Sequence, residues 1–303
     1  MTKVAERNLR TLAAVLAGLL ALPLVLCLRA EPTAAVDSPA APPVNAAKKI
    51  LFFSKCNEYE DDMVRRTGAG LSPAEAVLAE LGKRNHLQFT FTKDGSVFTP
   101  ENIAKYDAFC FFTSGDVTQP GGDGNPPMTA AGKAALLQAI AGGRGFIGIH
   151  SAANTFTSGP QGVDPYIQML GGELKVRVRG MEPAHQIVVD TNFPGMGAVP
   201  AGFAPVEEWY ALKNFSTNLH VLLVQDTGSM VRGEYYAPNY PSTWVQQYGQ
   251  GRVFYTSMGH QREVWNSPVF EQMLAGGLKW VVRDVDADVT PNIDRVMPGT
   301  NQR

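Results

Sequence analysis

Short apolar runs alternate with amphipathic segments along the first half of the chain. The runs have the length and composition of buried β-strands, and they cover residues 48–54, 87–92, 106–112 and 146–149. The segments between them begin at Ser72, Thr99 and Thr129. A hydroxyl at these positions favours a helix start, because it can accept a hydrogen bond from the first turn. The order β-α-β-α-β-α-β predicts a mostly parallel sheet with helices on both faces.

The second half of the chain has fewer helical patterns and more short apolar runs. A short helix is predicted at 166–170, and a last helix begins at Ser267 and Pro268 and runs to about residue 282. Predicted strands cover residues 184–190, 206–210 (a strand edge or bulge), 219–225, 242–248 and 251–256, the last two as a hairpin. The pattern predicts one α/β domain over residues 48–283, followed by a polar, loose tail over 284–303.

The first 47 residues do not fit the pattern of the domain. Lys3, Arg7 and Arg10 precede an apolar run over residues 12–28, which is typical of a secretory signal within residues 1–30. An uncleaved membrane anchor is the alternative, and lipidation at Cys27 is a third. Residues 31–47 are rich in Pro and Ala and predict a disordered linker. We therefore expect a periplasmic or secreted domain that the N-terminal segment could tie to the membrane.

Composition narrows the classes of partner. The chain has 303 residues, 45% of them hydrophobic, and a formal net charge of -2. Without a basic run, nucleic-acid binding through phosphate contacts is not expected. Beyond Cys27 the chain has Cys56 and Cys110, at spacings that fit no zinc motif. Two buried thiols are favoured over a disulfide between them.

The strongest candidate for chemistry lies where the fourth predicted strand ends, at His150. Ligands of open α/β sheets bind outside the carboxyl ends of the strands. Glycines flank this strand, and its turn has the form of a nucleophile elbow with a histidine at the centre. His150 could act as general base, metal ligand or hydrogen-bond donor, or could cap the next helix. Ser151 beside it is a candidate nucleophile.

Further candidates stand at other predicted strand ends. His260 follows the last strand through Gly259, and Asp116 follows the third. If residues 206–210 are extended, Glu207 and Glu208 point to opposite faces, so only one of them faces a site. Trp209 and Tyr210 beside these acids suit a polyol ligand, although an aromatic core with a solvated acid would give the same pattern. A metal site from His150, His185, His260 and one carboxylate is a further hypothesis.

Together, several motifs resemble the ThuA-like family, which is named for trehalose utilisation. The motifs are GRGFIGIHSA at 143–152, EEWY at 207–210, Pro241 with Trp244, GRVFYTSMGH at 251–260, Pro268 with Phe270, and LAGGLKW at 274–280. The resemblance implies a class I glutamine amidotransferase-like fold, a flavodoxin-related three-layer sandwich. It also points to metabolism of sugars or sugar derivatives, including oxidised (keto) sugars. His150 stands where the amidotransferases have their cysteine, which disfavours glutamine hydrolysis.

Three departures from the family pattern involve histidines. The acidic stretch 57–62 stands in place of a histidine after the first strand, and Tyr240-Pro241 and Phe193-Pro194 stand in place of His-Pro pairs, unless His185 takes the latter role. These losses weaken the metal hypothesis. They also fit a diverged, non-catalytic member of the family.

The resulting hypothesis is a sugar-directed hydrolase, lyase or isomerase, and the alternative is a non-catalytic carbohydrate-binding or scaffold domain. The expected catalytic residues are His150 as general acid or base, with His260 and Glu208 to orient or protonate. The expected substrate-binding residues are Asp116, Ser151, Trp209, Tyr210 and Trp244. The cofactor stays open, with a divalent metal as one option. The expected partner is a small sugar, and membrane association and homo-oligomerisation stay open.

Overall fold

The computed structural model describes residues 46–177, 180–231 and 239–300. Within them, eight strands form one sheet in the order β2-β1-β3-β4-β12-β11-β10-β7. The strands are β1 Lys48–Phe53, β2 Leu87–Thr92, β3 Ala108–Phe111, β4 Gly145–Ile149, β5 Glu173–Arg177, β6 Glu182–Pro183, β7 Gln186–Val188, β8 Val206–Glu207, β9 Tyr210–Lys213, β10 His220–Gln225, β11 Tyr240–Tyr248 and β12 Gly251–Thr256. Strands β2, β1, β3, β4 and β12 run parallel, and β11, β10 and β7 extend the sheet antiparallel.

Helices cover both faces of this sheet, each over its own hydrophobic core. The helices are α1 Pro73–Arg84, α2 Pro100–Ile103, α3 Ala130–Ala141, α4 Pro165–Leu170, α5 Arg262–Trp265, α6 Pro268–Val281 and α7 Ile293–Val296. Side chains of α1, α5 and α6 belong to one core, and those of α2, α3, α4 and α7 belong to the other. The predicted three-layer α/β fold with a mostly parallel sheet is confirmed.

The predicted helix starts are also confirmed at their caps. The Ser72 hydroxyl accepts from the Glu75 N–H, and the Glu75 carboxylate accepts from the Ser72 N–H, which forms a capping box. The hydroxyls of Thr99 and Thr129 cap α2 and α3 by accepting from the N–H groups of Asn102 and Gly132. The last helix, α6, begins after Ser267, although this serine makes no side-chain cap bond.

One predicted strand in the second half is split between different partners. The predicted strand at 184–190 is shorter in the structure and forms β7, with β6 just before it, whereas the predicted strand at 206–210 becomes β8 and β9. Strand β8 pairs with β6, whereas β9 pairs with β5, which the sequence pattern did not reveal. The chain therefore leaves one sheet after Glu207 and joins another at Tyr210. The expected alternation of side chains breaks between these two points.

The sequence pattern predicted a loose tail after Asp284, but part of this segment packs against the domain. Helix α7 places Ile293 and Met297 in the core of one face. The Asn292 side chain accepts from the Val221 N–H at 2.7 Å and donates to the Val221 carbonyl at 3.1 Å. The Asn292 side chain therefore binds the backbone of β10, and this contact holds the polar segment before α7 in place.

The two cysteines of the domain are not bonded to each other. Cys56 and Cys110 are buried free thiols, so the alternative of a disulfide between them is wrong. Burial raises the pKa of both thiols.

Among the described residues, none of the helices combines the length and the hydropathy needed to cross a membrane. The predicted signal or anchor, and nearly all of the linker, lie outside the described residues.

Candidate active site

His150 ends β4 in a strained backbone conformation. Its φ is +45°, in the left-handed region that side chains other than glycine seldom adopt. The residue is only 1% exposed, and it opens a short 3-10 turn over His150–Asn154. Such outliers are kept where the surrounding structure fixes them, and they concentrate at functional sites. The elbow geometry predicted from the sequence is thus present, with an imidazole at its apex.

Neighbouring groups fix the orientation of the His150 ring. Its Nδ1 lies 2.8 Å from the carbonyl oxygen of Ser257, at the end of the adjacent strand β12. A carbonyl can only accept, so in the neutral ring Nδ1 carries the hydrogen and Nε2 is a hydrogen-bond acceptor. The Tyr210 hydroxyl lies 2.8 Å from this Nε2, and its ring stacks on the imidazole at 4.4 Å. The ring is therefore presented with a basic nitrogen in a known direction.

Glu208 lies beside the same nitrogen. Its Oε2 is 3.7 Å from Nε2 of His150, and its side chain is 14% exposed. Tyr59 stands near it at the surface, 48% exposed. Burial raises the pKa of Tyr59, and the charges of Asp62, Asp61 and Glu208 raise it further. A carboxylate thus lies next to His150, close enough to an exposed aromatic ring for its charge to act on that ring's hydroxyl.

His260 forms the second imidazole of the site, with a carboxylate of its own. Its Nδ1 lies 2.5 Å from Oδ2 of Asp61, and its ring centroid is 5.2 Å from that of His150. Burial lowers the pKa of His260, but the hydrogen bond to Asp61 and the charge of that carboxylate outweigh burial and raise the pKa above its ordinary value. Asp61 is itself held by the Met63 N–H, 2.7 Å from its Oδ1.

Glu207 supports the turn that carries His260. Its buried carboxylate accepts from the N–H groups of Gly259 at 2.7 Å, His260 at 3.2 Å and Gln261 at 3.5 Å. Burial raises its pKa to about 7, although His150 and these donors oppose the rise. Of the two adjacent acids, Glu208 thus lies beside Nε2 of His150, whereas the Glu207 carboxylate is bound by the backbone of the His260 turn.

Ser151 is close to the site, and its hydroxyl is one of three buried serine hydroxyls that lack a partner among the described residues. Ser151 Oγ and Ser257 Oγ are both buried and have no hydrogen-bond partner among the residues that the structure describes. Both residues flank His150, one along the chain and one through its carbonyl group. Each could donate to a ligand oxygen that reaches this edge of the sheet.

Four other predicted site residues lie elsewhere. Asp116 caps its own turn through Thr118 and lines a separate cavity of about 350 Å³ with Lys133 and Phe156. Trp209 and Trp244 are fully buried, and their indole N–H groups donate to backbone carbonyls. His185 is largely exposed, with Asp226 3.7 Å away. Their positions at strand ends or beside acids were compatible with a site but did not require one.

Asp61 is the site residue that the sequence interpretation missed. A signal was present, because this acid follows β1 at the same carboxyl edge as His150 and His260, within the stretch where the family pattern has a histidine. Asp61, His150 and His260 each offer a ligand atom, and these atoms lie within 4.8 Å of one another. Among the described residues this is the one such group of three His, Cys, Asp or Glu side chains, and it excludes His185.

The sequence and the fold of this chain were compared with those of known proteins. No curated protein matches the chain. Among solved structures, a ThuA-like protein from Bacteroides uniformis is 19% identical, with a TM-score of 0.64 over 84% of this chain and 98% of the other. A ThuA-like protein from Parabacteroides merdae is 16% identical, with a TM-score of 0.56 over 80% and 92%. These similarities show a common fold. The family model ThuA, described as trehalose utilisation, matches residues 49–281, and the chain belongs to this family.

Proposed function

We propose that the protein is an enzyme of carbohydrate metabolism that works by proton transfer at the His150 site. The observation that carries the proposal is the pairing of Glu208 with the fixed, basic Nε2 of His150 at 3.7 Å. General acid-base catalysis needs a base within hydrogen-bond reach of the proton that it moves, and both groups face the same point. His260 and Tyr210 complete a ring of donors and acceptors around that point.

The proposed substrate class rests on the side chains around His150 at the carboxyl edge of the sheet. Carboxylates and free hydroxyls bind sugar hydroxyl groups, and an exposed aromatic ring packs against the sugar face. Glu208, Ser151 and Tyr59 offer these groups, and the family is described by trehalose utilisation. A hydrolase, lyase or isomerase acting on a glycoside or keto-sugar fits this set. We further propose a periplasmic or secreted location, because the N-terminal sequence has a positive start and an apolar run.

The test is turnover of a panel of disaccharides and their keto derivatives by wild type and two variants. His150→Asn keeps a residue that tolerates left-handed backbone, and Glu208→Gln keeps the shape of the side chain. We expect each variant to lose at least about 100-fold in kcat. His185→Asn is the matched control and should keep full activity, because His185 lies outside the site.

Binding measurements on the same panel decide between the proposal and its alternative. If wild type binds sugars and turns over none of them, the protein is a carbohydrate-binding domain and the enzyme proposal fails. Equal turnover by His150→Asn and wild type would remove His150 from the chemistry.

A further inference from the structure

We propose that Asp61, His150 and His260 bind one divalent transition-metal ion, with zinc as the first candidate. Their ligand atoms lie within 4.8 Å of one another at the carboxyl edge of the sheet. Bonds of about 2.0–2.2 Å to zinc place the ligands about 3–4 Å apart, so rotations of side-chain torsions are sufficient to close the site. The inference concerns ion binding itself and can be tested without any substrate.

The ligands already have the outer contacts that metal ligands need. A metal-binding histidine commonly donates its other ring N–H to a carbonyl or carboxylate, which fixes the ring. His150 does so, since its Nδ1 donates to the Ser257 carbonyl at 2.8 Å. Its Nε2 would bind the ion in place of the hydrogen bond from the Tyr210 hydroxyl. Asp61 keeps one oxygen on the Met63 N–H and turns the other toward His260. Two of the three ligands are therefore oriented before an ion arrives.

The balance of charge also favours a cation. Two carboxylates, those of Asp61 and Glu208, lie beside the two imidazoles, and the Glu207 carboxylate is already bound by backbone N–H groups. The lysines on the neighbouring loops pair with other acids: Lys93 with Glu60 at 2.6 Å and Lys55 with Asp123 at 2.8 Å. These two lysines therefore neutralise other carboxylates, and a bound cation would neutralise those beside the imidazoles.

The ligand set indicates an open, reactive site. Two histidines and one carboxylate leave at least one coordination position for water or substrate, as in catalytic rather than structural zinc sites. With an ion bound, His150 and His260 serve as ligands, and Glu208 remains as the group that accepts protons. The ion would lower the pKa of a bound water or polarise a sugar oxygen.

The experiment titrates purified full-length protein, freed of metal by a chelator, with Zn²⁺ and with Co²⁺ as a spectroscopic probe. We expect one equivalent to bind, with a Co²⁺ absorption spectrum of nitrogen and oxygen ligands. Asp61→Asn and His260→Asn should each weaken binding about 10- to 100-fold or more. His185→Asn is the control, because this histidine also has a carboxylate nearby but lies outside the cluster.

The result that overturns the proposal is binding of less than about a tenth of an equivalent by wild type, or equal affinity in wild type and both ligand variants. Unfolding curves of the ion-free variants check that they are folded. The proposed function fails separately, by unchanged turnover in His150→Asn. A protein that binds no ion but loses turnover in that variant would keep the acid-base proposal and end this one.

Discussion

At the residue scale, the adjacent acids Glu207 and Glu208 make different contacts. Glu207 is buried and accepts three backbone N–H groups of the His260 turn, whereas Glu208 is partly exposed and lies beside Nε2 of His150. The sequence shows two equal acids, and strand alternation predicts that they separate. The separation into a structural and a reactive carboxylate depends on where β8 ends, which local sequence does not determine.

Glu207→Ala should destabilise the fold by more than the loss of one hydrogen bond would, because three N–H groups, one of them buried, lose their acceptor. We expect the free energy of unfolding to fall by about 2–3 kcal/mol. Urea unfolding of wild type and variant measures this difference. Glu263→Ala, a change at an exposed acid in the next turn, is the control and should stay within about 0.5 kcal/mol. Equal losses in both variants would contradict the anchoring role of Glu207.

At the scale of the element, loops at the carboxyl edge are held by a buried ion pair. Lys55 follows β1 and is fully buried, and its ammonium donates to the Asp123 carboxylate and to the Asn125 carbonyl, both at 2.8 Å. Burial raises the pKa of Asp123, but the bonds from Lys55 and from the Asn125 N–H outweigh burial and hold this pKa below its ordinary value. The pair ties the loop after β1 to the loop that precedes α3.

Asp123→Asn should reveal this pair through its pH dependence. At pH 7 we expect a loss of about 3 kcal/mol, because Lys55 stays buried without its partner charge. The folded-state pKa is depressed, so the stabilisation is complete above the unfolded pKa of about 3.9 and is lost as the pH falls through the lower folded value. Unfolding at pH 7 and at pH 3 should therefore show a difference that shrinks in acid.

The control for this comparison is Asp284→Asn, which changes an exposed acid after the last long helix. Its unfolding free energy should match that of wild type at both pH values. A constant deficit of Asp123→Asn from pH 7 to pH 3 would show that the pair is not the source of the loss.

The C-terminal segment gives a second prediction at this scale. Asn292→Ala removes both hydrogen bonds to Val221 and leaves two buried backbone groups of β10 without their partner. We expect a loss of about 2 kcal/mol in the free energy of unfolding. Chemical denaturation measures it, and Asp294→Asn, two residues further and exposed, serves as the control. No difference between the two variants would mean that α7 contributes little to the domain.

At the scale of the whole molecule, the parallel half of the sheet was predictable and the antiparallel half was not. Each early strand is followed by its own helix, so sequence order and hydrophobic pattern are sufficient to predict crossovers on a parallel sheet. Strands β5 and β9, or β7 and β10, pair across long separations, and no local signal identifies their partners. The same reasoning explains the site: strand ends predicted His150 and His260, whereas Asp61 is one of several acids in the loop after β1, and only its contact with His260 distinguishes it from the others.

Strands β4 and β12 lie side by side, yet the His150 ring and the Ser257 carbonyl that orients it are 107 residues apart in sequence. A nascent chain emerges from the ribosome in order, so β4 is complete long before its neighbour exists. Until residues 251–260 emerge, β4 has an open edge, and His150 lacks both its carbonyl partner and His260. A premature stop in this interval would yield a chain with most of the parallel sheet and without the assembled His150 site. The site would thus be completed almost at the end of synthesis.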